Sequence, residues 1–511
     1  MLIDAEQLTN YQRCHRRTYL DVYGDPTERD DTNEYLLKLI QDSQENQQSY
    51  INRLPTVQRP LYAAGDWAAA HQATVDLMQQ GVDYIFQGVL LAPGEADVTY
   101  RSNPDVLVKQ PGRSHFGDWL YVPMDIKLGK RPKLEYQIAI AFHALVVATV
   151  QGAWAEDAWL YLRERGQFSV DLWDTLPKMQ ELLAECVEML HQQQEPEVFI
   201  ARSRCSLCHW LSHCHAIAQA DHHLSLLPGV TPTRYVQLQA LNLTTVRSLA
   251  DMNPADLELI AGFGRDAAFK LVRQARSTLH NQALLIEENL PYPPPTRPAV
   301  PRHNPLFHYA HPLHVAFDLP SAPVELYFDI EAEPNLNVAY LHGVLVVDRV
   351  NQTEDFYPLI AEDPADEIQV WHQLLELVWR YPHAPIFHFC PYEVQTVERL
   401  AKLYGTPLDR IDPLLVRFVD LHERITQAVT LPVESYALKP IARWLGFNWR
   451  DPAANGAQSI CWYAQWLSTR DRTYLNSILV YNEDDCRATH RVKDWLVGFL
   501  MEAALDIAEL A

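Results

Sequence analysis

Cysteine is sparse in this chain, eight among 511 residues, and a framework stapled by disulfides is not expected of it. No stretch supplies the roughly 18 or more uninterrupted apolar residues of a membrane span, and no N-terminal run pairs a basic segment with a signal-like apolar one. The expectation is a cytoplasmic protein with no membrane partner. Positive charge is short as well: 42 Lys and Arg stand against 65 Asp and Glu, a formal net charge of -23. That deficit weakens non-specific attraction to a polyanion, although local basic surfaces and cation-holding carboxylates stay compatible with nucleic acid. There is no internal repeat, and the only low-complexity tract is proline-rich.

What is present divides into several segments, as a chain too long for one ordinary core should. Residues 1–225 mix amphipathic helical stretches with a strand-rich centre. Leu77 to Leu91 passes from a helical run into a strand, Asp97 to Leu107 reads as a strand turning at Asn103-Pro104, and Gly117 to Val122 is a short strand before Met124 to Lys127. Gly129 to Pro132 breaks the pattern, and Leu134 to Val150 predicts a mostly apolar helix, with carboxylates expected on sheet edges beside it. Over 226–285, short helical patterns lead into Gly262-Phe263-Gly264 and a basic helix from Arg265 to Arg276. This resembles a helix-hairpin-helix module whose helix start offers N–H groups to a phosphate, with a plain helical spacer as the other reading. Residues 286–310, with Glu288 to Pro295, predict an extended linker. From 311 to 511 the strands Val324 to Ile330, Leu341 to Val347 and Pro385 to Phe389, and a helix from Ile368 to Tyr381, predict an α/β domain.

Pro104-Asp105 followed by Asp125-Ile126-Lys127 is the sharp N-terminal feature. Strand alternation puts Asp125 and Lys127 on one face; two aspartates suit Mg²⁺ or Mn²⁺, and a lysine can orient water or steady charge on phosphate. A charged strand face is the plain alternative. His71, in an Ala-rich helical stretch, offers an imidazole, and Gln137 could orient nucleic acid or water. In order, His71, Pro104-Asp105, Asp125-x-Lys127 and Gln137 resemble the motifs of RecB-type nucleases of the PD-(D/E)xK, restriction-endonuclease-like fold. The resemblance implies metal-dependent hydrolysis of DNA, with His71, Asp105 and Asp125 near metal and Lys127 in catalysis. The sequence departs from the family's glutamine-to-tyrosine spacing: Ala141 stands four residues after Gln137, and Tyr136 precedes it.

Cys205, Cys208 and Cys214 have ligand spacing, with Cys14 as a distant fourth thiol, a set suited to zinc or an iron–sulfur cluster. His209, His213 and His215 keep a mixed Cys/His site open, and Arg13, Arg16 and Arg17 could face DNA or form a solvated basic turn. An N-terminal cysteine with a later C-x₂-C-x₅-C group resembles the iron–sulfur-containing RecB-type nucleases. That resemblance implies a structural [4Fe–4S] cluster on Cys14, Cys205, Cys208 and Cys214.

Asp329-Ile330-Glu331 places two carboxylates on one strand face, and Tyr481 and Asp485, four apart, share one face of a helix. With Glu393 these resemble the four-carboxylate, tyrosine-containing 3′–5′ exonucleases of the ribonuclease H-like superfamily. Asp329, Glu331, Glu393 and Asp485 would then hold metals and Tyr481 would orient water. Glu393 stands where the family has aspartate. Leu438-Lys439 adds a lysine that could meet phosphate or simply lie on the surface. The whole pattern predicts a metal-dependent DNA nuclease acting in repair or defence on single strands or free ends. An RNA nuclease using mainly the C-terminal site and a non-catalytic nucleic-acid-binding protein are the alternatives.

Overall fold

The computed structural model describes residues 1–95, 97–286 and 319–510, and its chain divides into two compact units, Met1–Ala218 and Gln219–Ala511. The proline-rich linker expected over 286–310 lies, apart from Ile286, outside the described residues.

The first unit holds strands β1 (Leu2–Asp4), β2 (Val57–Gln58), β3 (Tyr84–Phe86), β4 (Leu90–Pro93), β5 (Thr99–Ser102), β6 (Val106–Ser114), β7 (Gly117–Lys127), β8 (Asp157–Leu162) and β9 (Gly166–Asp171). Six form a sheet in the order β2-β3-β6-β7-β8-β9, and β1-β5-β4 form a second. The two strand pieces expected at 117–122 and 124–127 are one strand, because Pro123 lies opposite Leu107 without breaking the ladder. Between the parallel strands β7 and β8 runs the helix Leu134–Gln151. Apolar nearly all round, it is by length and composition able to cross a membrane. Here its side chains, Phe142 and Val146 among them, enter the core of the unit, as such a helix must when water is the alternative. Gly152, at φ +65°, ends it in the left-handed region.

This topology corrects one expectation. The acidic residues do not sit at sheet edges: Asp105 precedes β6 and Asp125 lies in β7, the two middle strands. Antiparallel pairing of Val106 with Met124 brings them together.

The second unit has β10 (Leu284–Leu285), β11 (Val324–Glu333), β12 (Val338–Asp348), β13 (Thr353–Ile360), β14 (Ile386–His388), β15 (Phe418–Asp420) and β16 (Val429–Thr430). Five make a mixed sheet, β13-β12-β11-β14-β15, antiparallel through β11 and parallel beyond it. In β11 the period of two divides the residues between two cores. Leu326, Phe328 and Ile330 pack with Trp371 and Leu400 on one side, whereas Tyr327 packs with Tyr481 and Cys486 of the long helix Arg472–Leu510 on the other. Asp329 and Glu331 share the face of Tyr327. The segment 226–285 is not set apart from this body: β10 pairs with β16, and Gln274 donates to the Leu431 carbonyl at 2.7 Å.

Candidate functional site

At the middle of the C-terminal sheet, one carboxylate oxygen from each of Asp329, Glu331 and Asp485 lies within 4.8 Å of the others. Two come from β11 by alternation and the third from the long helix packed on the same face. Each is oriented by a neutral donor. Asn482 Nδ2 donates to Asp329 Oδ2 at 2.6 Å, Trp449 Nε1 to Asp485 Oδ1 at 2.6 Å, and the Ser459 hydroxyl to Glu331 Oε2. Tyr340 donates to Ser459 in turn, at 3.0 Å. Room for Asn482 is made by Gly343, the β12 partner of Asp329: a Cβ there would lie 1.7 Å from Asn482 Oδ1.

Burial and mutual repulsion dominate the electrostatics. Burial, then Asp485 and Glu331, hold the Asp329 carboxyl well above its usual range. Burial pushes Glu331 up to about 8 and Asp485 to about 6, against the donors Ser459 and Trp449. Three hard oxygen donors that repel one another when ionised, with no thiolate or imidazole among them, suit Mg²⁺ or Mn²⁺. The Tyr481 phenol hydrogen-bonds Asp485 and is driven far up by burial and the carboxylates, so it acts as a hydrogen-bond donor and not as a base. Lys439 is no free surface lysine. Its Nζ lies 5.1 Å from the Tyr481 ring centre and 5.3 Å from that of Trp449.

Glu393 stands outside the trio, in the first turn of the helix Tyr392–Leu403, yet near enough to raise Asp329. It is buried, and its Oε2 lies 3.4 Å from His388 Nδ1, which is itself 2.7 Å from the Cys390 carbonyl oxygen. Cys390 adopts φ +82°, a conformation unusual for any residue but glycine, and its N–H donates to Asp420 at 3.1 Å. The strained turn leads directly into the helix that carries Glu393. Asn482, Ser459 and Trp449 were not foreseen from sequence; they are ordinary residue types 128 to 153 positions, or 36 in the case of Trp449, from the carboxylates they orient.

In the first unit, a cleft of about 340 Å³ is lined by Asp105, Asp125, Lys127, Arg101, Tyr136 and His143, among others. Asp105 Oδ2 accepts from the Ile126 N–H at 2.6 Å, its Oδ1 from Gln47 at 2.9 Å, and Lys127 pairs with Asp125 at 3.0 Å. Burial and the neighbouring Asp125 push Asp105 up to about 7. For Asp125, burial acts upward but Lys127 and His143 outweigh it, and the net shift is down.

Two expected members lie elsewhere. His71 lines a separate cavity of about 670 Å³ with His115, and its Nδ1 accepts the Leu91 N–H at 3.1 Å. Its helix, Trp67–Gln79, packs on β4 and so presents His71 there. Gln137 spends its amide on the Pro132 carbonyl at 2.9 Å and does not line the cleft; Tyr136 and Glu135 do. The buried imidazole of the cleft is His143, held to Ser102 at 2.8 Å. It was missed because it sits in a helix read only as apolar.

Cys14 joins two helices, Ala5–Arg13 and His15–Tyr23, and its thiol lies within electrostatic reach of those of Cys205, Cys208 and Cys214. Burial pushes Cys208 up to about 11. His209 and His213 are engaged by Asp21 at 2.6 Å and Glu28 at 3.0 Å. The nearby arginines are engaged too: Arg13 with Glu135 at 2.7 Å, Arg16 with Glu195 at 2.5 Å, and Arg17 with Asp21 at 3.7 Å.

Residues 326–497 match the RNase_H_2 family of the RNase_H superfamily. No curated protein matches the chain. The C-terminal domain is thus ribonuclease H-like, and such a domain with its acidic trio indicates a nuclease-type hydrolase that takes a nucleic-acid substrate and a divalent cation.

Proposed function

We propose that the chain is a metal-dependent DNA nuclease that degrades strands from an end, with its principal centre at Asp329, Glu331 and Asp485. The observation that carries this reading is the convergence of those three buried carboxylates on the ribonuclease H-like sheet. Asp329, Glu331 and Asp485 would hold Mg²⁺ or Mn²⁺, with Glu393 as an additional ligand from the rim. The bound ion would supply Lewis-acid stabilisation of charge developing on the phosphoryl group. Tyr481, kept protonated with its one O–H on Asp485, orients the attacking water by accepting one of its hydrogens. Lys439, with a positive charge beside Asp485 and Tyr481, meets the phosphate. Asn482, Ser459 and Trp449 hold the carboxylates in place.

The N-terminal unit is proposed as a second nuclease centre of PD-(D/E)xK type, in which Asp105 and Asp125 hold the cation and Lys127 steadies the phosphate. What supports it is the pairing of β6 with β7 that sets the two aspartates side by side, with Lys127 at 3.0 Å from one of them. Cys14, Cys205, Cys208 and Cys214 are proposed, on their spacing in the sequence, to hold a structural [4Fe–4S] cluster, with zinc as the competing occupant.

End-labelled single-stranded DNA, with Mg²⁺ or Mn²⁺ and anaerobically prepared protein, tests the proposal through Asp329→Ala, Asp125→Ala and the double variant. Asp329→Ala should lose more than the roughly 10–100-fold that removal of an outer partner costs. Equal digestion by all four proteins would sink the assignment. Digestion of RNA alone would move the substrate to ribonucleotides, and tight binding without cleavage would mark a non-catalytic protein.

A further inference from the structure

Against a net charge of -23, one groove in the second unit collects cations. Two adjoining cavities, of about 460 and 520 Å³, share Asp266, Lys270, Ile286 and Thr426, and so form one channel between the helix Gly264–His280 and the helix Leu421–Ala428 with β16. Arg234, Arg265, Lys270 and Arg273 line it, opposed by Asp266. Arg234 and Arg273 also build its walls. The first donates to the Gly229 carbonyl at 2.8 Å and the second to Thr430 Oγ1 at 3.0 Å. Arg265 and Lys270 are exposed and, among the described residues, pair with no carboxylate. Arg265 lies 5.8 Å from the ring centre of Phe269, which also lines the groove.

Chain connectivity keeps one wall of this groove close to the carboxylate site. Tyr436, at its rim, is tied to Gln274 at 3.0 Å and to the Leu431 N–H at 2.9 Å. Three residues on, a reach of at most about 10 Å, Lys439 sits over Tyr481. Neighbouring cations on a fixed wall suit the repeating charge of a phosphodiester backbone, and an aromatic ring beside them suits an unpaired base.

We propose that this groove binds the backbone of a single nucleic-acid strand and leads its end to Asp329, Glu331 and Asp485. The proposal rests on the nuclease reading of that site, and the test separates the two. The full-length protein is titrated with fluorescein-labelled single-stranded DNA and RNA oligonucleotides, with Ca²⁺ in place of Mg²⁺, over a range of salt. The comparison is with the double charge reversal Arg265→Glu, Lys270→Glu, both surface positions. Binding should weaken at least 10-fold for both sugars, and the slope of log affinity against log salt should fall by about 1.4, since each single-strand phosphate contact contributes about 0.7. Hydrolysis of a dinucleotide, which has no phosphodiester other than the one cleaved to offer the groove, should keep its kcat/KM. If the parent binds oligonucleotides in this manner but cleaves nothing, the groove stands and the nuclease reading falls. Equal affinity and slope in parent and variant would overturn the groove, as would loss of binding to a poly-glutamate peptide alone, which would make the partner an acidic protein segment.

Discussion

Gly343→Ala tests the architecture of the trio without touching a carboxylate. Register places Gly343 opposite Asp329, and the added Cβ would lie 1.7 Å from Asn482 Oδ1 and 3.1 Å from Phe356 Cε2. Phe356 need yield only a few tenths of an ångström; Asn482 must leave. Either the amide rotates and leaves a buried Asp329 oxygen without its hydrogen-bond partner, at about 1–3 kcal/mol, or the long helix backs off the sheet at an overpacking cost of about 1–3 kcal/mol. These are alternatives, so the expected destabilisation is about 2 kcal/mol and not their sum. Asn482→Ala by itself forfeits the same hydrogen bond but vacates the space. The double variant should therefore cost little more than Asn482→Ala, a coupling of about 2 kcal/mol by the same figures. Because the chain has two units, the assay must be local: hydrogen exchange read by mass spectrometry on peptides covering 324–348 and 472–490. Costs that add within about 0.3–0.5 kcal/mol would show that the glycine and the asparagine do not share this space, and the reasoning would fail.

Lys493, buried against Glu325 at 2.7 Å, should be costly to neutralise. Lys493→Met is expected to destabilise the second unit by about 3 kcal/mol, the lower end for a broken buried pair, because Arg349 still holds Glu325 at 2.5 Å; chemical denaturation reads it, and a loss under about 1 kcal/mol would contradict the placement. Asp494 is held well below the usual carboxylate range, with burial acting upward but outweighed by His490 and Arg349. A depressed folded-state pKa contributes stability above the unfolded value near 3.9 that is lost as pH falls below it, so Asp494→Asn should flatten acid unfolding below about pH 4 while a variant with unchanged acid sensitivity would refute the shift. Anaerobically purified protein should carry iron and sulfide in equal amounts, and Cys205→Ala should lose both; stoichiometric zinc in the parent would replace the cluster assignment.

The readings that worked were those carried by local periodicity. Asp329 and Glu331 share a strand face because side chains alternate, and Tyr481 and Asp485 share a helix face because they are four apart. The helix from Leu134 was legible because it is apolar almost all round. β13 was missed: it is an edge strand, half polar and containing Pro358, and its pairing with β12 rather than its own pattern makes it a strand.

Taken alone, then, the sequence determined which short segments carry paired carboxylates and which thiols have ligand spacing, since both depend on neighbours within one turn or one strand. Only the tertiary structure decided which groups meet. It placed Asp105 and Asp125 on middle strands, took His71 and Gln137 away from them, and put His143 in the cleft. It also brought Asn482 and Ser459 to carboxylates 153 and 128 residues distant, and joined the 226–285 segment to the C-terminal body through β10 and β16. Those meetings come from sheet register and helix packing, whose energy is shared among many long-range contacts and leaves no mark in any single stretch of chain.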